Sequence, residues 1–121
     1  MTRQESNVKY VLLFVEPEQY AKDLEAMDPA DRDRAFMLVG QWFVENADKV
    51  KGGSKLRPRD TATTVRMVGG DDPVVFDGPF VEGKEVVSGY AEVEADNLDD
   101  VLAIVKTWPG CPVVEIRPLE S

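Results

Sequence analysis

The segment Asp77-Gly78-Pro79-Phe80-Val81-Glu82-Gly83-Lys84-Glu85 gathers three carboxylates, a lysine and two glycines into nine positions. Carboxylates beside a lysine act as acid and base where burial separates their proton affinities. Glycine lets the backbone approach a ligand closely or turn left-handed, and a cis Gly78–Pro79 bond would fix a sharp turn. In that arrangement Asp77 orients a substrate or accepts a proton, and Lys84 holds or polarises an anionic group. The same residues also suit a loop without chemistry. Asp77 then bonds its own turn, Phe80 enters the core, and Glu82, Lys84 and Glu85 are solvated.

A second group lies upstream. Lys49, Lys51, Lys55, Arg57 and Arg59 place five cations in 11 residues with no acid among them. The forks of Arg57 and Arg59 match a carboxylate or phosphate on a small ligand; a solvated loop is the plainer alternative. Arg66 lies in a strand and needs a carboxylate partner if it faces inward. Trp42 and Phe43 sit on an apolar helical stripe and read as core. Trp108 beside Pro109 either lines a pocket or packs. Cys111 before Pro112 reads as a small buried thiol, since a reactive thiolate wants a helix N-terminus or nearby cations. Asp96, Asp99 and Asp100 read as helix capping and dipole complement rather than a metal cluster.

Composition limits the chemistry further. The 121 residues hold 14 Lys and Arg against 23 Asp and Glu, a net charge of −9, with no histidine and one cysteine. An imidazole–thiolate metal site within one chain is therefore excluded, as are Ser-His-Asp and Cys-His catalysis, and no cofactor is expected. The acidic balance argues against nucleic-acid binding, which needs a basic surface. The N-terminus is polar. The apolar run Val8–Val15 is too short to span a membrane and lacks a signal-peptide cleavage pattern. With a cysteine that cannot pair within the chain, these features give a cytoplasmic protein with no membrane partner as the expectation.

These groups need a scaffold. Residues 1–7 read as a flexible N-terminal segment and 8–119 as one domain. Val8–Val15 predicts a strand with apolar residues on both faces: Tyr10, Leu12 and Phe14 on one, Val11, Leu13 and Val15 on the other. Residues 18–27 fit a short helix or irregular turn, with Tyr20, Leu24 and Met27 on one side. Asp28-Pro29-Ala30-Asp31 starts a helix, with Asp at the N-cap and Pro at the first position. Its apolar residues recur to Ala47, and Gly52-Gly53 ends it. Thr61–Val68 predicts a strand, Gly69–Asp72 a turn, and Val74–Phe76 a returning strand. Ser88–Ala95 predicts another strand, Asp96 caps a helix carrying Leu98, Val101, Leu102 and Val105, and Val113–Ile116 closes the chain.

The order β, α, β-hairpin, β, α, β predicts a ferredoxin-like α+β fold, an antiparallel sheet with two helices on one face and an extra β-hairpin. The other face would then be bare, although the strands are apolar on both sides. A homodimer packing sheet on sheet resolves this.

Asp77-Gly78-Pro79-Phe80, followed by Glu82, Lys84 and Glu85, resembles the signature of the YCII-related family in its DGPF-domain branch. Lys9–Leu13 is similar to the family's opening strand and Ala62–Arg66 to the strand before its hairpin. Gly89-Tyr90 fits the strand after the signature loop, and Cys111-Pro112 with Val114–Pro118 fits the closing strand. The resemblance runs in order from about residue 8 to 119. It implies a ferredoxin-like fold of dimeric α+β barrel type, with a cleft near the dimer interface. Some members look enzyme-like through a His-Asp pair; that histidine is missing here, so no His-Asp mechanism carries over. Some relatives are encoded with or fused to extracytoplasmic-function sigma factors.

The expected function is binding or conversion of a small anionic molecule in that cleft. Asp77 and Lys84 are its candidate catalytic groups, and Arg57, Arg59, Arg66, Gly78, Pro79, Phe80, Glu82, Glu85 and Tyr90 its candidate ligand contacts. The alternative is a non-catalytic interaction module linked to transcription regulation, using the acidic stretch Glu92, Glu94, Asp96, Asp99 and Asp100.

Overall fold

The computed structural model describes residues 8–67, 72–80 and 83–120. The expected turn at Gly69–Asp72 falls mostly outside them, as do the N-terminal segment and Glu82. The elements are β1 (Val8–Pro17), α1 (Glu18–Ala26), α2 (Pro29–Glu45), β2 (Val50–Lys55), β3 (Thr63–Arg66), β4 (Val74–Asp77), β5 (Glu85–Ala95), α3 (Leu98–Val105) and β6 (Val113–Pro118). The main sheet has the order β2-β5-β1-β6 and is antiparallel throughout; β3 and β4 form a separate two-stranded sheet. A four-stranded antiparallel sheet with three helices makes an α+β fold, and its strand order is compatible with the ferredoxin-like arrangement.

One face of the sheet carries the core. Tyr10, Leu12 and Phe14 of β1 lie beside Ala91, Val93 and Ala95 of β5, all buried, and Trp42 of α2 and Val101 of α3 close over them. Period-two alternation sends every second residue of each strand into this layer. Leu12, Val93 and Val101 are fully enclosed. The opposite face of β1 carries Val11, Leu13 and Val15, all half-buried.

The structure corrects several expectations. Gly52-Gly53 does not end a helix: α2 stops at Glu45, where the Asn46 side-chain amide donates to the Trp42 carbonyl at 2.8 Å, and both glycines lie within β2. The second strand of the main sheet is thus Val50–Lys55, not Thr61–Val68, which contributes only Thr63–Arg66 to the separate hairpin. Of the two readings open for residues 18–27 the structure shows the short helix, ending at Ala26, which makes three helices where the fold expectation had two. Asp28 occupies the N-cap of α2 but makes no side-chain capping bond. The cap of α3 is Asn97, whose side chain accepts the Asp100 N–H at 3.0 Å, rather than Asp96. The Gly78–Pro79 bond is trans, and the sharp turn comes from Gly78 at φ 108°.

Candidate functional site

A pocket of about 1020 Å³ opens where the helix-facing side of the sheet runs out from under its helices. Its floor follows from small residues. Gly53 pairs with Ala91 and Lys55 with Gly89, so in this corner of β2 and β5 Lys55 is the one long side chain among these four residues. Gly53 is required by the close approach of the two strands. It has φ 149°, and a Cβ there would strike the Tyr90 carbonyl oxygen and come within 2.7 Å of Ala91 Cα.

The walls are apolar. Phe14 stacks on Trp108 with centroids 4.3 Å apart, and Phe43 meets both edge-on at 6.2 and 5.8 Å. The Trp108 indole N–H donates to the Cys111 carbonyl at 3.1 Å, fixing the ring. Tyr20 and Leu24 of α1, with Phe36 and Val39 of α2, face these rings across the opening. Phe36 is 49% exposed, an unusual position for a large ring unless something covers it.

The rim is charged. Lys51, Lys55, Arg57, Arg59 and Lys84 border the pocket, with Glu16, Glu18, Glu25 and Asp60 among them. Five cations against four carboxylates reverse the balance of a chain in which acids predominate. Lys55 pairs with Glu16 at 3.4 Å. Arg59 donates to the Gly83 carbonyl at 2.6 Å. Among the described residues Lys51, Arg57 and Lys84 have no ion-pair partner, which leaves them able to meet an anion.

Burial shifts two titratable groups beside the pocket. Burial pushes the Cys111 thiol up; the Trp108 hydrogen bond opposes this, and the Glu16 carboxylate adds to it. Burial likewise raises the Tyr20 hydroxyl, with Cys111 and Glu16 contributing in that order.

Of the residues singled out from sequence, Arg57, Arg59, Lys84 and Tyr90 border this pocket; Arg66, Asp77, Gly78, Pro79, Phe80 and Glu85 do not. Glu82 lies outside the described residues. Asp77 sits exposed at the end of β4, so the expected Asp77–Lys84 pair does not share the pocket. Arg66 is exposed, pairs with no carboxylate among the described residues, and has its guanidinium over the Phe80 ring at 5.0 Å. Phe80 is 65% exposed rather than entering the core.

The Asp77–Phe80 turn works through its backbone. The Gly78 N–H donates to the Ala62 carbonyl at 2.7 Å, and the Thr64 hydroxyl donates to the Gly78 carbonyl at 2.7 Å, which fastens the base of the β3–β4 hairpin. The sequence offers Trp108 as a residue that lines a pocket or packs, but gives Phe14, Phe36, Phe43 and Lys51 no site role. The available signal was Phe36, an apolar residue at the wide end of the α2 stripe.

No family model matches the chain. The chain is 32% identical over 90 residues to the uncharacterized protein R00369 of Rhizobium meliloti (strain 1021), a stretch covering 71% of this chain and 71% of the relative. No helix among the described residues is long and apolar enough to cross a membrane.

Proposed function

The chain belongs to the family of that Rhizobium protein, and on this premise we propose that it binds a small amphipathic organic anion in the pocket between β2, α1 and α2. One observation carries the reading: an aromatic pocket of about 1020 Å³ edged by five cations and four carboxylates in a chain of net charge −9. An apolar body stacked against Phe36, Phe43 and Trp108 supplies most of the affinity. A carboxylate, sulfonate or phosphate head on Arg57, Lys51 and Lys84 sets orientation. We read the family as YCII-related, in its DGPF branch, on the ordered segments from Lys9–Leu13 to Val114–Pro118, and the protein as a cytoplasmic homodimer. The half-buried Val11, Leu13 and Val15 on the open sheet face and the single buried thiol support that reading. With Asp77 outside the pocket, no acid–base pair is assigned and the reading is binding.

The test uses two fluorescent probes with the same aromatic body: anilinonaphthalene sulfonate, which is anionic, and N-phenylnaphthylamine, which is neutral. Wild type binds both. Arg57→Glu weakens the anionic probe about tenfold and leaves the neutral one within about twofold, whereas Phe36→Ala weakens both. Equal binding of the anionic probe by Arg57→Glu, or no binding by wild type, would refute the assignment.

A further inference from the structure

Gly83 and Lys84 join the two sides of the pocket mouth. Arg59, in the turn after β2, donates Nη1–H to the Gly83 carbonyl at 2.6 Å. The next carbonyl, that of Lys84, accepts the N–H of Glu18, the first residue of α1, also at 2.6 Å. The wall built on β2 and the wall built on α1 thus meet on adjacent peptide groups. α1 follows directly on β1, whose Pro17 pairs with Glu85 of β5, so the Glu18–Lys84 bond continues that ladder at the point where the sheet hands over to the helix. Tyr20 packs against the core although no residue of α1 is fully buried, and the far end of α1 is tied to α2, where Arg32 donates to the carbonyls of Leu24, Glu25 and Met27 at 3.0–3.2 Å. Within the cation run Arg57 is exposed, while Arg59 is half-buried and already committed to a carbonyl.

We propose that Arg59 is a positioning residue: by holding the Gly83 carbonyl it anchors the Gly83–Lys84 dipeptide to which α1 is fastened, and so keeps the two walls of the pocket at the separation that accepts a ligand. The proposal rests on the pocket being the binding site, and it separates Arg59 from Arg57, which meets the anion directly. A contact to the anion and a clasp between walls have different signatures. Losing an anion contact weakens only a charged ligand. Losing the clasp weakens any ligand that fills the space between the walls, charged or neutral.

The experiment titrates the same two probes into wild type, Arg59→Ala, Arg59→Lys and Lys49→Ala, well below each variant's unfolding temperature. Arg59→Ala weakens the anionic and the neutral probe alike, by about tenfold, the scale of one charge-assisted hydrogen bond. Arg59→Lys, which still donates, restores most of the affinity. Lys49→Ala removes one cation of the same run that does not border the pocket, and leaves both probes unchanged.

Glu18→Pro tests the other arm independently of Arg59. It removes the N–H that bonds Lys84 at a position where a helix tolerates proline. Because it also removes a negative charge from the rim, a purely electrostatic effect would tighten the anionic probe; loss of the clasp weakens both probes. Loss of the anionic probe alone in Arg59→Ala would make Arg59 an anion contact and overturn the proposal, as would unchanged binding of both probes. Wild type binding neither probe would remove the pocket assignment and this proposal together, an outcome distinct from failure in the variants alone.

Discussion

At the scale of single residues, Cys111 shows how surroundings decide chemistry. Its thiol is 5% exposed and donates to the Val113 carbonyl at 3.7 Å, while the Trp108 ring is pinned to its own carbonyl. Burial, with Glu16 nearby, holds the thiol above its ordinary range. Alkylation requires the thiolate. At pH 8 the folded protein therefore reacts with iodoacetamide at least about tenfold more slowly than the urea-unfolded chain, whose thiol titrates near ~8.5. The folded rate climbs only at pH values above that. The same shift has a stability sign. Above the unfolded value the unfolded chain has released a proton that the folded chain still holds, so this group's contribution to stability falls as pH rises. A native rate equal to the unfolded rate at pH 8 would contradict the burial argument. The buried thiol was legible in the sequence because Cys111 lacks flanking cations. The role of Asp77 was not, because nothing in its own segment says which side of the hairpin base the pocket lies on.

At the scale of elements, the strand missing from the sequence reading is the one that builds the pocket. Val50–Lys55 contains Gly52-Gly53-Ser54, residues with poor strand preference and strong turn and helix-stop associations. It is an edge strand, paired on one side with β5 from Lys55–Gly89 to Val50–Val93. Its conformation comes from a partner almost forty residues away, which local patterning does not reveal. The elements with self-contained signals, β1, α2 and α3, were legible: an unbroken β-branched and aromatic run, Pro29 at a helix start, and the i, i+3, i+4, i+7 spacing of Leu98 to Val105. The two glycines of β2 are predicted to differ sharply. Gly53→Ala meets the β5 backbone and a left-handed φ, and destabilises the protein by more than ~1 kcal/mol in urea unfolding. Gly52→Ala meets nothing within 4 Å and changes stability by no more than about 0.5 kcal/mol. Equal costs at the two positions would show that β2 does not approach β5 as described.

At the scale of the whole molecule, the sheet has one face covered by helices and one face open. Across the open face Leu13 pairs with Tyr90 on one side and Glu115 on the other, and Val11 with Glu92 and Arg117. The centre of this face is an apolar stripe along β1, and its margins are charged, with Glu115 and Arg117 paired at 3.7 Å. An apolar centre with a charged rim is the pattern of a protein interface. Packing two such faces as a sheet sandwich lets each stripe cover the other, with the acidic margins held away from the centre. Leu13 lies mid-stripe, so Leu13→Glu places a carboxylate beside Glu115 at the centre of this face, where desolvation and like charge both oppose association. The helix-side core of Leu12, Trp42, Val93 and Val101 is untouched by that change, since Leu13 points to the other face. Light scattering on a sizing column at micromolar concentration should return twice the chain mass for wild type and the single-chain mass for Leu13→Glu, with matching far-ultraviolet circular dichroism. The pocket lies on the helix side, so Leu13→Glu should retain binding of both aromatic probes. A monomeric wild type would instead leave the apolar stripe of β1 facing water, and the sheet-packing argument would fail.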